Sequence, residues 1–161
     1  QPDADKETID RLLEHFRKYY DEHCTDTTKP YHGIPELLKE LTGRGVKVAV
    51  CTNKYQSAAS RIIEHFFPEI PFVAILGQVE SRNPKPDPSA LFAVLNICPT
   101  PKSEVMMVGG SAVDIETARR ACVESIGVTW GFRPVSELRH ACAMHLVSKP
   151  DEILKYLDDP F

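Results

Sequence analysis

Residues 105–121 read VMMVGGSAVDIETARRA, and their order decides the fold class. Four apolar residues, Val105 to Val108, stop at Gly109, Gly110 and Ser111. Val113, Ile115, Ala118 and Ala121 then recur at helical spacing, with Asp114 in the first turn. A short apolar run, a glycine turn and an amphipathic helix form a strand–turn–helix unit.

The unit recurs on both sides. VKVAVC (46–51) predicts a strand, TNK (52–54) a turn and YQSAASRIIEHFF (55–67) a helix. PFVAIL (71–76) predicts a second strand and GQVESRNPKPDP (77–88) a loop. Pro88 opens a helix over PSALFAVLNI. SIGVTW (125–130) predicts a fourth strand, followed by the helix PVSELRHA, the short strand MHLV and the helix PDEILKYL. Strands that are apolar almost throughout, alternating with helices, predict a parallel sheet covered on both faces. The expected class is α/β, doubly wound and Rossmann-like.

Upstream the pattern differs. Ile9, Leu12, Leu13, Phe16, Tyr19 and Tyr20 fall on one face of a helix over residues 6–24, which Asp3 or Asp5 can cap. TDTTKPYHGIP (25–35) is a connection, and PELLKELTGRG a short helix stopped by Gly43 and Gly45. Residues 1–30 therefore stand apart, as a helical element, from the alternation of 31–161.

Composition narrows the function. The net charge of −4, without a long basic run, argues against a nucleic-acid partner. The apolar runs are too short to span a membrane. Five cysteines, an odd number with no C-x-x-C pair, fit a reducing compartment and hence the cytoplasm. The six histidines lack the clustered spacing of a zinc site. His140 and His145 read as surface or core residues.

In open α/β sheets, ligands bind beyond the carboxyl ends of the strands. Those positions hold Thr52, Asn53 and Lys54, then Lys85, then Gly109, Gly110, Ser111 and Asp114. A hydroxyl, free amides at a helix start and an ammonium favour a phosphate, and a carboxylate beside them suits Mg²⁺. Each residue also has a plainer role: Thr52 and Asn53 as helix caps, Lys85 as a solvated loop lysine, Asp114 as a first-turn acid, and the glycines as turn residues. Their placement at successive strand ends favours the joint reading.

VAVCTNK, KPDPSALFAVL and VMMVGGSAVDIETARRA resemble three motifs of the haloacid dehalogenase superfamily, and most closely its phosphoglycolate phosphatases. FRKYYDEHCTDTTKPYHGIPELLKEL resembles the passage of such chains from helical cap to core, and SIGVTWGFRPVSEL their continuation. The resemblance implies a Mg²⁺-dependent phosphatase of small phosphorylated metabolites, with residues 1–30 the remnant of a cap and 31–161 a core. Thr52 and the Asn53 amide would bind the phosphoryl group, Lys85 would neutralise it, and Asp114 would organise the metal.

Two departures alter that expectation. The family opens with a strand ending D-x-D-G-T, whose first aspartate is the nucleophile and whose place lies between the strands corresponding to VKVAVC and EVMMVG. No such pattern occurs in residues 1–161. The resemblance thus implies a truncated form with little turnover of its own. Where the family carries a ligand aspartate, this chain has Gly110, so the alternative is a non-catalytic binding or regulatory module. A homodimer that covers open strand edges or the first helix is consistent with either.

Overall fold

Every strand pairing in the computed structural model, which describes residues 5–157, is parallel. In chain order the elements are α1 (Lys6–His23), α2 (Ile34–Gly43), β1 (Ala49–Tyr55), α3 (Gln56–Phe66), β2 (Ala74–Gln78) and α4 (Ser89–Ile97). Then come β3 (Met106–Gly109), α5 (Ala112–Ala121), β4 (Glu124–Val128), α6 (Val135–His140) and β5 (His145–Val147). The alternation expected from the apolar runs is present.

The expected single sheet is instead two: β1 with β2, and β3–β4–β5 in that order. β1 and β3 do not pair, so each carries one open edge. No strand pairing crosses the seam between the two sheets, and open α/β folds place ligands beyond the carboxyl ends of such strands.

Helices tie the sheets together. Leu91 of α4, which lies against β1 and β2, also packs with Met107, Ala118, Ala121 and Val123. On another side, Leu37 and Leu41 of α2 pack with Ile126, Val128, Val147 and Ile153, joined by Val46 and Val48 on the approach to β1. Ile126 and Leu138 are fully buried, and each such aliphatic side chain contributes about 1.5–3 kcal/mol.

Local chemistry sets most boundaries. Asp5 caps α1, accepting from the Thr8 N–H at 2.7 Å; Asp3 lies outside the described residues. Gly45, at φ +82°, turns the chain after α2, and the Val46 N–H reaches back to the Leu41 carbonyl. Three expectations are corrected. β1 begins at Ala49 and runs through TNK to Tyr55, with a register irregularity after Cys51. Thr52 and Asn53 therefore lie on a strand and do not cap α3, whose preceding residue is Tyr55. The last helix, Pro150–Tyr156, is 3₁₀.

The apolar face of α1 meets no core. Leu12, Phe16 and Tyr19 are more than half exposed, and no residue of α1 is buried. The helix is instead held to β1 and α3 by polar groups. The Ser57 hydroxyl donates to the Asp21 carboxylate at 2.8 Å, and Arg61 donates to the Asp21 carbonyl at 2.9 Å.

Candidate active site

β1 and the loop after β2 are locked together at their carboxyl ends. The Asn53 side chain donates to the Lys85 carbonyl at 3.0 Å and accepts from the Lys85 N–H at 2.8 Å. This reciprocal pair of bonds fixes the loop backbone at the residue whose side chain matters. The loop is also held from within. Asp87 accepts from the Ser89 hydroxyl and N–H, and those bonds keep its carboxyl below the usual carboxylate range.

Lys85 then crosses the seam. Its ammonium donates to Asp114 Oδ1 at 2.5 Å, with the two side chains only 12% and 15% exposed. The other carboxylate oxygen, Oδ2, accepts from the Ser111 hydroxyl at 2.8 Å and from its N–H at 3.2 Å. Asp114 thus keeps its ordinary first-turn role at α5 while also holding Lys85. The solvated-loop reading of Lys85 does not survive this geometry.

The two glycines before α5 are not equivalent. A Cβ at Gly109 would lie 2.2 Å from Asp114 Cβ. Only a residue without a side chain lets the Asp114 side chain pass so close to the strand end. A Cβ at Gly110 would meet Val128 Cγ2 at 3.6 Å and Gly131 Cα at 3.8 Å, which are ordinary contacts. Position 110 therefore has room for a Cβ.

The structure brings Asn53, Lys85 and Asp114 together by hydrogen bonds. Thr52 is adjacent on β1 and half-buried; its hydroxyl accepts from the Lys54 N–H at 3.2 Å. Among the described residues, no hydrogen bond links Thr52 to Lys85 or Asp114. Sequence reasoning gave Glu137 no role, yet from α6 it accepts from the Ala112 N–H at 2.9 Å and so holds the start of α5. No local signal marks a contact across 25 residues. Cys51, on the same strand, has its thiol pKa pushed up by burial, against the opposing pull of Lys85 and Arg82.

The donor set does not by itself fit Mg²⁺. That ion takes several oxygen ligands. Here one carboxylate is present, with an ammonium on one oxygen and Ser111 on the other. No group of three or more His, Cys, Asp or Glu able to hold a metal occurs among the described residues.

The chain as a whole is similar to known proteins. Residues 2–128 match the model of the haloacid dehalogenase-like hydrolases. The phosphoglycolate phosphatase of Mesorhizobium japonicum is 32% identical over 123 residues, 76% of this chain and 54% of that protein. The N-acetylmuramic acid 6-phosphate phosphatase of Pseudomonas aeruginosa is 31% identical over 156 residues, 96% of this chain and 69% of that protein. A crystal structure from Lactobacillus delbrueckii subsp. bulgaricus superposes with a TM-score of 0.85 at 33% identity, over 95% of this chain and 64% of the other. The chain thus spans between about half and about two-thirds of these relatives. Among the described residues no helix is long and apolar enough to cross a membrane, and all five cysteines are free.

Proposed function

Because the chain belongs to the haloacid dehalogenase-like hydrolases, we propose that it is the phosphoryl-binding part of a phosphatase for small phosphorylated metabolites of the phosphoglycolate type. In this reading residues 1–30 are the tail of a helical cap and residues 31–161 the core. The observation that carries it is the 2.5 Å contact of Lys85 with Asp114 across the seam, on a loop fixed by Asn53.

The chemistry follows from those groups. Thr52 offers an O–H donor at the end of β1. Lys85 supplies a full positive charge, nine-tenths shielded from solvent, so its attraction for a phosphoryl oxygen is only weakly screened. Asn53 and Asp114 fix where that charge stands. Catalysis of phosphoryl transfer rests mainly on such positioning and charge stabilisation. Asp114 aims Lys85 when no anion is bound; an entering phosphoryl group would share the ammonium with it.

Turnover needs a nucleophile that none of these residues provides. The resemblance assigns it to a strand ending D-x-D-G-T, and the seam between the open edges of β1 and β3 offers that strand two ladders of unpaired backbone groups. The 161 residues alone are therefore expected to bind phosphate compounds with little hydrolysis. Calorimetric titration with 2-phosphoglycolate tests the reading. Binding that Lys85→Ala weakens at least tenfold supports it, and binding indifferent to Lys85 overturns it. Rapid hydrolysis by this chain alone would overturn the mechanism.

Gly110 favours a second reading, a non-catalytic binding module. The two differ in what an added carboxylate does. A Cβ at position 110 meets only ordinary contacts, and Gly110→Asp would give a cation a second oxygen donor near Asp114. Mg²⁺ affinity is expected to rise by calorimetry; an unchanged affinity counts against a metal site at this strand end.

A further inference from the structure

β1 leaves its ladder just where the candidate site begins. Cys51 pairs with Leu76 of β2, and the next pairing joins Tyr55 to Gln78. Three residues of β1, Thr52 to Lys54, thus stand opposite one residue of β2, Gly77. Such bulges bend a strand and re-aim its side chains. This one carries the Thr52 hydroxyl, which accepts from the Lys54 N–H within the bow, and Asn53, which clamps the Lys85 backbone.

One side chain serves β2 where β1 bows away. Gln56, the first residue of α3, accepts from the Gly77 N–H at 2.7 Å and donates to the Ile75 carbonyl at 2.9 Å. Its amide nitrogen also donates to Ser60 Oγ at 3.1 Å, one turn along the helix. A primary amide offers a donor and an acceptor side by side, as a neighbouring strand does. Gly77 is buried, and a Cβ there would lie 2.6 Å from Gln56 Cα and 2.8 Å from the Lys54 carbonyl oxygen. The glycine thus lets the returning end of the bulge pass close over β2.

Without the amide, two part-buried backbone groups of β2 would lose these partners. A straightened β1 would supply new ones, but it would draw Thr52 to Lys54 back toward the ladder, and each one-residue slip turns side chains to the opposite face. We infer that Gln56 is a positioning residue of the phosphoryl site. By bonding Ile75 and Gly77 it holds the bulge open, and so sets where Thr52 and Asn53 stand and, through Asn53, where the Lys85 loop stands. This rests on the phosphoryl-binding reading of Thr52 and Lys85 and extends it to a residue outside the strand end.

The test uses inorganic phosphate, which asks only for the phosphoryl site. It is titrated calorimetrically into the chain and into Gln56→Ala, Gln56→Glu, Asn53→Ala and the double variant Gln56→Ala/Asn53→Ala. Exchange of the Lys85 amide is followed by NMR in each, without ligand. Gln56→Ala should weaken phosphate binding by about three- to tenfold, the scale of one or two displaced hydrogen bonds. It should also speed exchange at Lys85 while the amides of β4 do not change. Gln56→Glu keeps the length and the acceptor but turns an oxygen toward the Ile75 carbonyl, so it should act in the same direction should Gln56→Ala fail to fold. The double variant should bind no more weakly than the weaker single one, because both act through the same clamp. Unchanged affinity and Lys85 exchange in the Gln56 variants, or losses that multiply in the double variant, overturn the inference and leave the phosphoryl site intact. Failure of the native chain to bind phosphate overturns the phosphoryl site, whereas faster Lys85 exchange in Gln56→Ala would still show that Gln56 holds the bulge.

Discussion

The two sheets of this molecule are built to different standards. In β3–β4–β5 the central strand is sealed: Ser125, Ile126, Gly127 and Val128 are all buried, with hydrophobic clusters packed around them. In β1–β2 only Ala74 and Gly77 are buried, and Ala49, Asn53 and Lys54 of β1 are exposed. The sealed half has residues to spare for stability. The open half ends in polar groups that face the seam, and it bonds across that seam through side chains instead of a backbone ladder. Stability and chemistry are thus divided between sheets, and the candidate site lies on the boundary.

The sharpest way to break this comparison is to remove equivalent side chains. Ile126→Ala, in the sealed sheet, is expected to cost about 2–5 kcal/mol. Ile75→Ala, in the half-buried β2, should cost clearly less. Urea unfolding measures both, and equal losses would show that the two sheets are equally packed.

The glycine pair at the end of β3 sharpens the boundary itself. Gly109→Ala drives a methyl group into Asp114, with an expected loss of about 1–3 kcal/mol and displacement of the carboxylate from Lys85. Gly110→Ala meets only ordinary contacts and has no left-handed backbone to strain, so its effect should stay within about 0.5 kcal/mol. Similar thermal melts for the two variants would contradict this assignment of close packing.

A smaller effect is expected at the clamp. Asn53→Ala removes two exposed hydrogen bonds to the Lys85 backbone, worth about 1 kcal/mol together. Its distinctive signature is local: the Lys85 amide should exchange with solvent faster while the amides of β4 do not change. Protection that persists at Lys85 would mean that the loop is held by Asp87 alone.

The smallest effect tests the surface of the sealed half. Arg119 and Arg120 donate to Glu116 and hold its carboxyl pKa at about 2, below its ordinary 4.5. A depressed value in the folded chain means that the contribution is complete above about pH 4.5 and fades as pH falls toward about 2. Glu116→Gln should flatten that part of the pH–stability curve slightly, because exposed pairs contribute little. A large change at neutral pH would count against a surface role.

Most elements were legible because their causes are local. VMMV followed by two glycines and an amphipathic turn needs no distant partner to be read as strand, turn and helix, and Asp5 caps α1 through a residue three positions away. TNK was misread for the opposite reason. Polar residues at a strand end look like a turn, and only the resumed pairing of Tyr55 with Gln78 of β2 carries the strand past them. The exposed apolar face of α1 was legible as a pattern, but its lack of a covering core was not.

The sequence alone determined which chemical groups lie at the strand ends, since strand and helix periods are properties of short stretches. It could not tell whether Thr52, Asn53, Lys85 and Asp114 meet. The tertiary structure decided that, joining Asn53 to Lys85 across 32 residues and Lys85 to Asp114 across 29. It also left β1 and β3 unpaired with each other. The physical reason is that a hydrogen bond between distant residues depends on how the intervening helices pack, and no periodicity along the chain encodes that packing.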